Sequence, residues 1–257
     1  MDKLRVLDLF SGIGGFSLGL ERTGGFETVA FCEIEEFPRK VLRKHWPEVP
    51  CYDDVRTLTA DVLARDGIAV DVITGGFPCQ DLSVAGKRAG LGEGTRSGLW
   101  SEIVRLIGEL RPRYVIVENV ANLLSGPSDK RGGWFGRVLG DLAECGYDAE
   151  WRNIPAGLLG ARHLRTRVWL VAYPHKIGRL EGEIFPRKYA QKHNRAWSSN
   201  SIEHIIDLRG RGKFSLPESL CVDDGVSYPL GGYGNAVVPQ IPELIGHAIL
   251  KAEGIHA

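Results

Sequence analysis

Leu4-Arg5-Val6-Leu7-Asp8-Leu9-Phe10-Ser11-Gly12-Ile13-Gly14-Gly15-Phe16 decides the fold. Leu4–Leu9 reads as a strand, residues 10–14 as a glycine-rich turn, and Gly15–Arg22 as a helix. Outward from this unit the pattern repeats. Strands are expected at 28–32, 70–74, 113–117 and 168–172. Helices are expected at 37–45, 57–65, 99–110 and 134–145. Alternating strands and helices, with the strands wholly apolar, imply a mostly parallel sheet covered on both faces, an α/β class of fold. From Tyr173 the periodicity is lost, and it returns as a helix over 239–253. The expected division is therefore 1–172 as the main domain, 173–229 as a small inserted region, and 230–257 as a segment returning to the main domain.

Composition excludes several classes. The chain has 257 residues, 43% hydrophobic and 25% charged, ordinary for a soluble globular protein. No apolar run is long enough to span a bilayer. Met1–Arg5 leads directly into a strand, so no signal peptide is expected. Five cysteines, at 32, 51, 79, 145 and 221, form no CxxC pair, which argues against a zinc site or a disulfide framework and for a reducing, cytoplasmic setting. Net charge is zero, but residues 162–213 hold twelve basic residues against four acidic ones. A basic face on the C-terminal third suits a nucleic-acid partner as readily as it suits a solvated loop region.

Three stretches carry chemistry. The turn at 8–16 follows a strand and opens a helix, and its glycines let a ligand approach the backbone closely. Glu33 ends the next strand, where a ribose hydroxyl acceptor belongs. Residues 8–20 contain no Lys or Arg, so a phosphate ligand is not favoured, whereas the positive sulfonium of S-adenosylmethionine would suit an acidic, glycine-lined pocket. Asp53-Asp54-Val55 could accept from an adenine amino group or cap the following helix. The second stretch is Gly75-Gly76-Phe77-Pro78-Cys79-Gln80, after the strand 71–74, where open α/β sheets bind ligands. Cys79 stands between Pro78 and a polar Gln80, better placed for an exposed thiol than for a core cysteine. Glycines at 86, 90, 92, 94 and 98 give the following segment the means to close over a substrate. The third stretch, Val117-Glu118-Asn119-Val120, puts an acid at a strand end, half desolvated.

In this order the pieces closely resemble the DNA cytosine-5 methyltransferase family. The matching blocks are DLFSGIGGF at 8–16, Glu33, Asp54-Val55, GGFPCQDLSVAGKRAGL at 75–91, RSGLW at 96–100, ENV at 118–120, Arg165 with Arg167, and GNAVVP at 234–239. The resemblance implies a Rossmann-like fold dependent on S-adenosylmethionine, with a small target-recognition region. It implies methyl transfer to C5 of cytosine in double-stranded DNA, in the short form found in bacteria and phages, acting as a monomer without an obligate protein partner, a membrane or a metal. It implies Cys79 as nucleophile, Glu118 as the acid on the base, Arg165 holding the cytosine and Arg167 supporting the scaffold. Phe10, Gly12, Gly14, Glu33, Asp54, Val55, Pro78, Leu99 and Asn235 would line the cofactor site. Gln80, Ser83, Lys87, Arg96 and Arg179 would meet DNA. The chain departs from the family at His163, where Gln is usual, and in the shortness of 173–229. Two rivals are the same chemistry on RNA, and a silent binding protein. The latter predicts decay at Cys79, Glu118 or the glycines, and none has decayed.

Overall fold

A computed structural model describes residues 2–77, 99–125, 133–156, 165–175, 184 and 236–255. Met1–Phe185 together with Val237–Ala257 form one compact unit. In chain order its elements are β1 (Leu4–Leu9), α1 (Gly15–Glu21), β2 (Phe26–Cys32), α2 (Glu36–His45), β3 (Cys51–Tyr52), α3 (Ala60–Arg65), β4 (Val72–Gly75), α4 (Trp100–Leu110), β5 (Tyr114–Val120), α5 (Gly133–Glu144), β6 (Tyr147–Pro155), β7 (Thr166–Pro174) and α6 (Gln240–Ala252). They build one seven-stranded sheet in the order β3-β2-β1-β4-β5-β7-β6. The pairings from β3 to β5 are parallel, and those of β5 with β7 and β7 with β6 are antiparallel. The α/β expectation holds, with an antiparallel edge added.

Burial explains why the central strands are readable. Leu7, Leu9, Val72, Ile73, Val115 and Ile116 are fully buried, so both faces of each strand must be apolar. β6 escapes such a reading. Its sequence, Tyr-Asp-Ala-Glu-Trp-Arg-Asn-Ile-Pro, is mostly exposed or half-buried and lies at the sheet edge, so it needs no apolar run. Two boundaries shift as well. β5 runs on to Val120, which places Glu118 inside the strand opposite Trp169 and not at a strand end. α3 starts at Ala60, not Thr57, because the Thr59 side chain is the cap, accepting from the Val62 N–H at 3.2 Å. Asp54 is occupied elsewhere: its carboxylate binds Arg56 at 2.8 Å, and its carbonyl accepts from Thr57.

The strand order fixes where a site can form. β2 and β3 lie to one side of β1, and β4 and β5 to the other. Between β1 and β4 the winding reverses, opening a crevice beyond the carboxyl ends of the strands. The β1–α1 turn and the residues after β4 both arrive there.

Candidate active site

The turn after β1 is stitched to β2. Ser11 Oγ donates to the Asp8 carbonyl at 2.5 Å, and the Cys32 N–H donates back to Ser11 Oγ at 3.3 Å. The Gly12 N–H donates to Glu33 at 2.7 Å, and the Glu35 N–H donates to its other oxygen at 2.8 Å. Glu33 is thus fixed at the strand end, and burial pushes its carboxyl above the usual range. Phe10 and Gly12 both have a φ of 52°, in the left-handed region. A methyl group at Gly12 would meet nothing within 4 Å. Phe10 and Leu99 pack against the core cluster that contains Val55, each keeping part of its surface free.

The remaining glycines of the motif serve the chain itself. A methyl at Gly14 would lie 2.6 Å from the Trp46 ring, and one at Gly15 would lie 2.6 Å from the Val237 carbonyl. At Gly19 it would collide with the Pro239 carbonyl and reach Pro242 at 2.9 Å. Gly15 and Gly19 therefore let the returning segment and α6 dock on α1. Of the turn glycines, Gly12 alone borders open space.

On β5, Glu118 is 8% exposed and faces two guanidinium groups of the β7 side. Arg167 Nε lies 3.1 Å and Arg165 Nη2 3.5 Å from the same carboxylate oxygen, Oε1. The other oxygen, Oε2, faces the Gly76 backbone, where a methyl would stand 3.4 Å away. Burial raises the Glu118 pKa, with the two arginines pulling the other way. Glu118, Arg165, Arg167 and Trp169 line a small cavity closed by Ile154, Ala156, Val238 and Ile241.

Asn119 makes a connection that its place in the ENV block did not advertise. It is 2% exposed, and its Nδ2 donates to the Phe77 carbonyl at 3.1 Å. Phe77 is itself held against Trp100, with ring centroids 5.4 Å apart. The chain leaving β4 is therefore anchored from β5 two residues before Cys79. Asp8 was also missed as a site residue. It is completely buried, and it accepts from Ser17 Oγ at 2.9 Å and Thr74 Oγ1 at 2.6 Å. A carboxylate set among the apolar Val6, Leu7 and Leu9 is the signal that could have found it.

The structure thus brings Phe10, Gly12 and Glu33 together at one strand edge, and Glu118, Arg165 and Arg167 at another part of the same sheet. Asp54 and Val55 follow β3, and Leu99 precedes α4. Pro78, Cys79, Gln80, Ser83, Lys87, Arg96, His163, Arg179 and Asn235 lie outside the described residues. No group of three or more His, Cys, Asp or Glu residues arranged for a metal occurs among the described residues. No described helix is long and apolar enough to cross a membrane.

A glycine turn at the switch point of an α/β sheet, with a buried Glu–Arg cluster elsewhere on that sheet, is a ligand-binding arrangement. The profile of the C-5 cytosine-specific DNA methylases matches residues 4–220, and the chain belongs to that family. Among relatives, the type II methyltransferase M.Sau3AI of Staphylococcus aureus is 32% identical, over 88% of this chain and 61% of its own length. M2.BsuMI of Bacillus subtilis is 36% identical, over 66% of this chain and 42% of its own length. The curated relatives are longer, and the matched part covers between 39% and 61% of them. Of solved structures, one described as a DNA modification methyltransferase encoded within an E. coli prophage is 27% identical with a TM-score of 0.56, covering 68% of this chain and 48% of that one. Spodoptera frugiperda DNMT2, at 22% identity and a TM-score of 0.55, covers 68% of this chain and 51% of its own and shares the fold.

Proposed function

We propose that the chain transfers a methyl group from S-adenosylmethionine to C5 of cytosine in DNA, through a covalent bond between Cys79 and C6 of a flipped-out base. The observation that carries this reading is the buried Glu118, held by Arg165 and Arg167 and facing the Gly76 backbone, three residues before Cys79 in the sequence.

The residues of the β1–α1 turn fit the cofactor. Gly12 borders open space, Glu33 waits at the strand end, and no Lys or Arg between residues 8 and 20 would attract a phosphate instead. Phe10, Gly12, Glu33, Asp54, Val55 and Leu99 would hold it, with Gly14 shaping the turn and Pro78 and Asn235 completing the set. When bound, it supplies an electrophilic methyl group on a positive sulfur.

Cytosine C5 is too weak a nucleophile to take that methyl unaided. Addition of the Cys79 thiolate to C6 moves the ring electron pair towards C5 and makes it nucleophilic. Thiolate is the attacking form, so Cys79 needs a polar setting. A proton or hydrogen bond at ring N3 makes C6 more electrophilic. Glu118 would supply it: burial raises its pKa, the direction a proton donor needs, with Arg165 and Arg167 opposing that shift. Arg165 steadies the base and Arg167 fixes Glu118. Loss of the C5 proton then expels Cys79 and restores the ring. The base must leave the duplex first, at a cost of a few kcal/mol, and the glycine-rich 80–98 segment would fill the gap. Gln80, Ser83, Lys87, Arg96 and Arg179, with the basic residues of 173–229, would meet DNA.

Methyl incorporation into DNA and into RNA, compared for the wild type and Cys79→Ala, tests this reading. Incorporation into DNA, lost in the variant with cofactor affinity nearly unchanged, is expected. Methylation of cytosine C5 by Cys79→Ala would overturn the assigned nucleophile.

A further inference from the structure

Trp169 carries a buried donor to which the described residues offer no acceptor. It is 1% exposed on β7, and its Nε1 finds no hydrogen-bond partner among them. It stands directly opposite Glu118 on β5, so the two side chains leave the same face of the sheet, with Cβ atoms about 5 Å apart. Phe16 of α1 packs edge-on against its ring, with centroids 5.4 Å apart. Trp169 and Glu118 also line the same cavity, with Arg165 and Arg167, against apolar residues of β6 and α6 that include Ile154 and Ile241. A buried N–H left unpaired costs stability, and a ring needed for packing alone need not carry one.

The cavity has a volume of about 10 Å³, close to the least that admits one water molecule, so the base itself is not its occupant. We propose that it is a water site in which one molecule accepts from Trp169 Nε1 and donates to the Glu118 carboxylate, making Trp169 a positioning residue for the proposed acid. The inference rests on Glu118 having that role. The chemistry of the lining selects water. An indole N–H only donates and an ionised carboxylate only accepts, so a bridging molecule must do both. An anion would suit the indole but be repelled by Glu118, and a cation would be repelled by Arg165 and Arg167. Both arginines engage Oε1, which leaves the carboxylate with acceptor capacity for the water.

The effect on the proposed reaction has a definite sign. Among the described residues, β7 presents Arg165, Arg167 and Trp169 to Glu118, the residues after β4 present the Gly76 backbone, and the cavity wall from β6 and α6 is apolar. Burial favours the neutral acid, and the two arginines favour the carboxylate. A hydrogen bond donated by the water works in the same direction as the arginines. Removing the indole N–H takes away the water's anchor, so Glu118 keeps its proton to higher pH. Methylation needs that proton, and its rate falls as pH rises through the Glu118 pKa. Without the N–H the fall therefore comes at higher pH. A ring that only packed would alter stability and leave the fall where it was.

The test joins a crystal structure of the full chain, at a resolution that shows ordered water, to a pH profile. The structure should place one water within about 3.2 Å of both Trp169 Nε1 and a Glu118 oxygen. Single-turnover methylation of DNA by the wild type and by Trp169→Phe is then followed across the pH range in which the wild-type rate falls. Expected is a displacement of that fall to higher pH by about 0.5–1 unit in the variant, with affinity for S-adenosylmethionine nearly unchanged. If Trp169→Phe does not fold, the wild-type structure decides alone. A cavity without water, an indole N–H bonded to a protein group, or superimposable pH profiles would overturn the proposal while leaving the methylation reading standing. A wild-type chain that methylates no DNA would overturn the role of Glu118 and the proposal with it.

Discussion

Replacing Gly12 and Gly19 separately by alanine distinguishes the two uses to which the glycines are put. At Gly12 a methyl meets no atom of the chain within 4 Å, so the cost to folding comes from the backbone alone. A φ of 52° is left-handed, and an L-residue there loses about 1–2 kcal/mol. For a chain of this size that lowers Tm by roughly 2–8 °C. The methyl does enter the space assigned to the cofactor, so affinity for S-adenosylmethionine should fall by about tenfold or more, or ~1.4 kcal/mol. At Gly19 the methyl strikes the Pro239 carbonyl and lies 2.9 Å from Pro242, and backbone cannot rotate aside as a side chain can. Overpacking costs about 1–3 kcal/mol, offset by up to ~1 kcal/mol of helix propensity. Gly19→Ala should therefore lower Tm comparably while changing cofactor affinity less than about threefold, or ~0.7 kcal/mol. Differential scanning calorimetry with equilibrium binding at a temperature where both variants are folded reads both quantities. If Gly12→Ala binds as tightly as the wild type, the open space beside Gly12 is not the ligand's.

Further predictions concern charge. Glu118→Gln keeps an acceptor for Arg165 and Arg167 but removes the transferable proton, so single-turnover methylation should slow by about 10²–10⁴-fold, with S-adenosylmethionine binding retained; an unchanged rate would remove Glu118 from the acid role. Asp8 also links folding to pH. Its folded value of about 7 exceeds the unfolded one, so its contribution to stability is fully present below the unfolded value and is lost as pH rises through about 7. Asp8→Asn should therefore raise Tm more at pH 8 than at pH 5, by the equivalent of at most about 4 kcal/mol; a larger gain at low pH contradicts the sign. Removing Lys or Arg residues within 176–213 should weaken DNA binding and reduce its salt slope by about one for each phosphate left without its cation; unchanged slopes would deny this region its role.

The parts of the fold legible in the sequence are those where burial leaves one solution. β1, β4 and β5 are largely apolar because both faces are covered, and the glycine turn after β1 is marked by residues that few other settings require. β6 was not legible, since an edge strand exposes polar side chains and pairs through its backbone. The site followed the same logic. Glu33 announces itself as an acid just past a strand and Glu118 as an acid near the end of one, whereas Arg165 and Arg167 came only through the family resemblance. The use of Gly15 and Gly19 to seat α6 did not, because the partners at 237–242 are remote in sequence. Asn119 was overlooked because its hydrogen bond goes to a backbone carbonyl, a group every residue carries. Asp8 was hidden inside a motif read for its glycines.

Trapping with DNA containing 5-fluorocytosine in the target site most directly tests the claim that Cys79 bonds to the base. Fluorine at C5 cannot depart as the proton does, so a covalent protein–DNA species should accumulate when S-adenosylmethionine is present, survive denaturation, and map to the peptide bearing Cys79. Accumulation of the same species in Cys79→Ala, or its absence under conditions where ordinary DNA is methylated, would contradict the account.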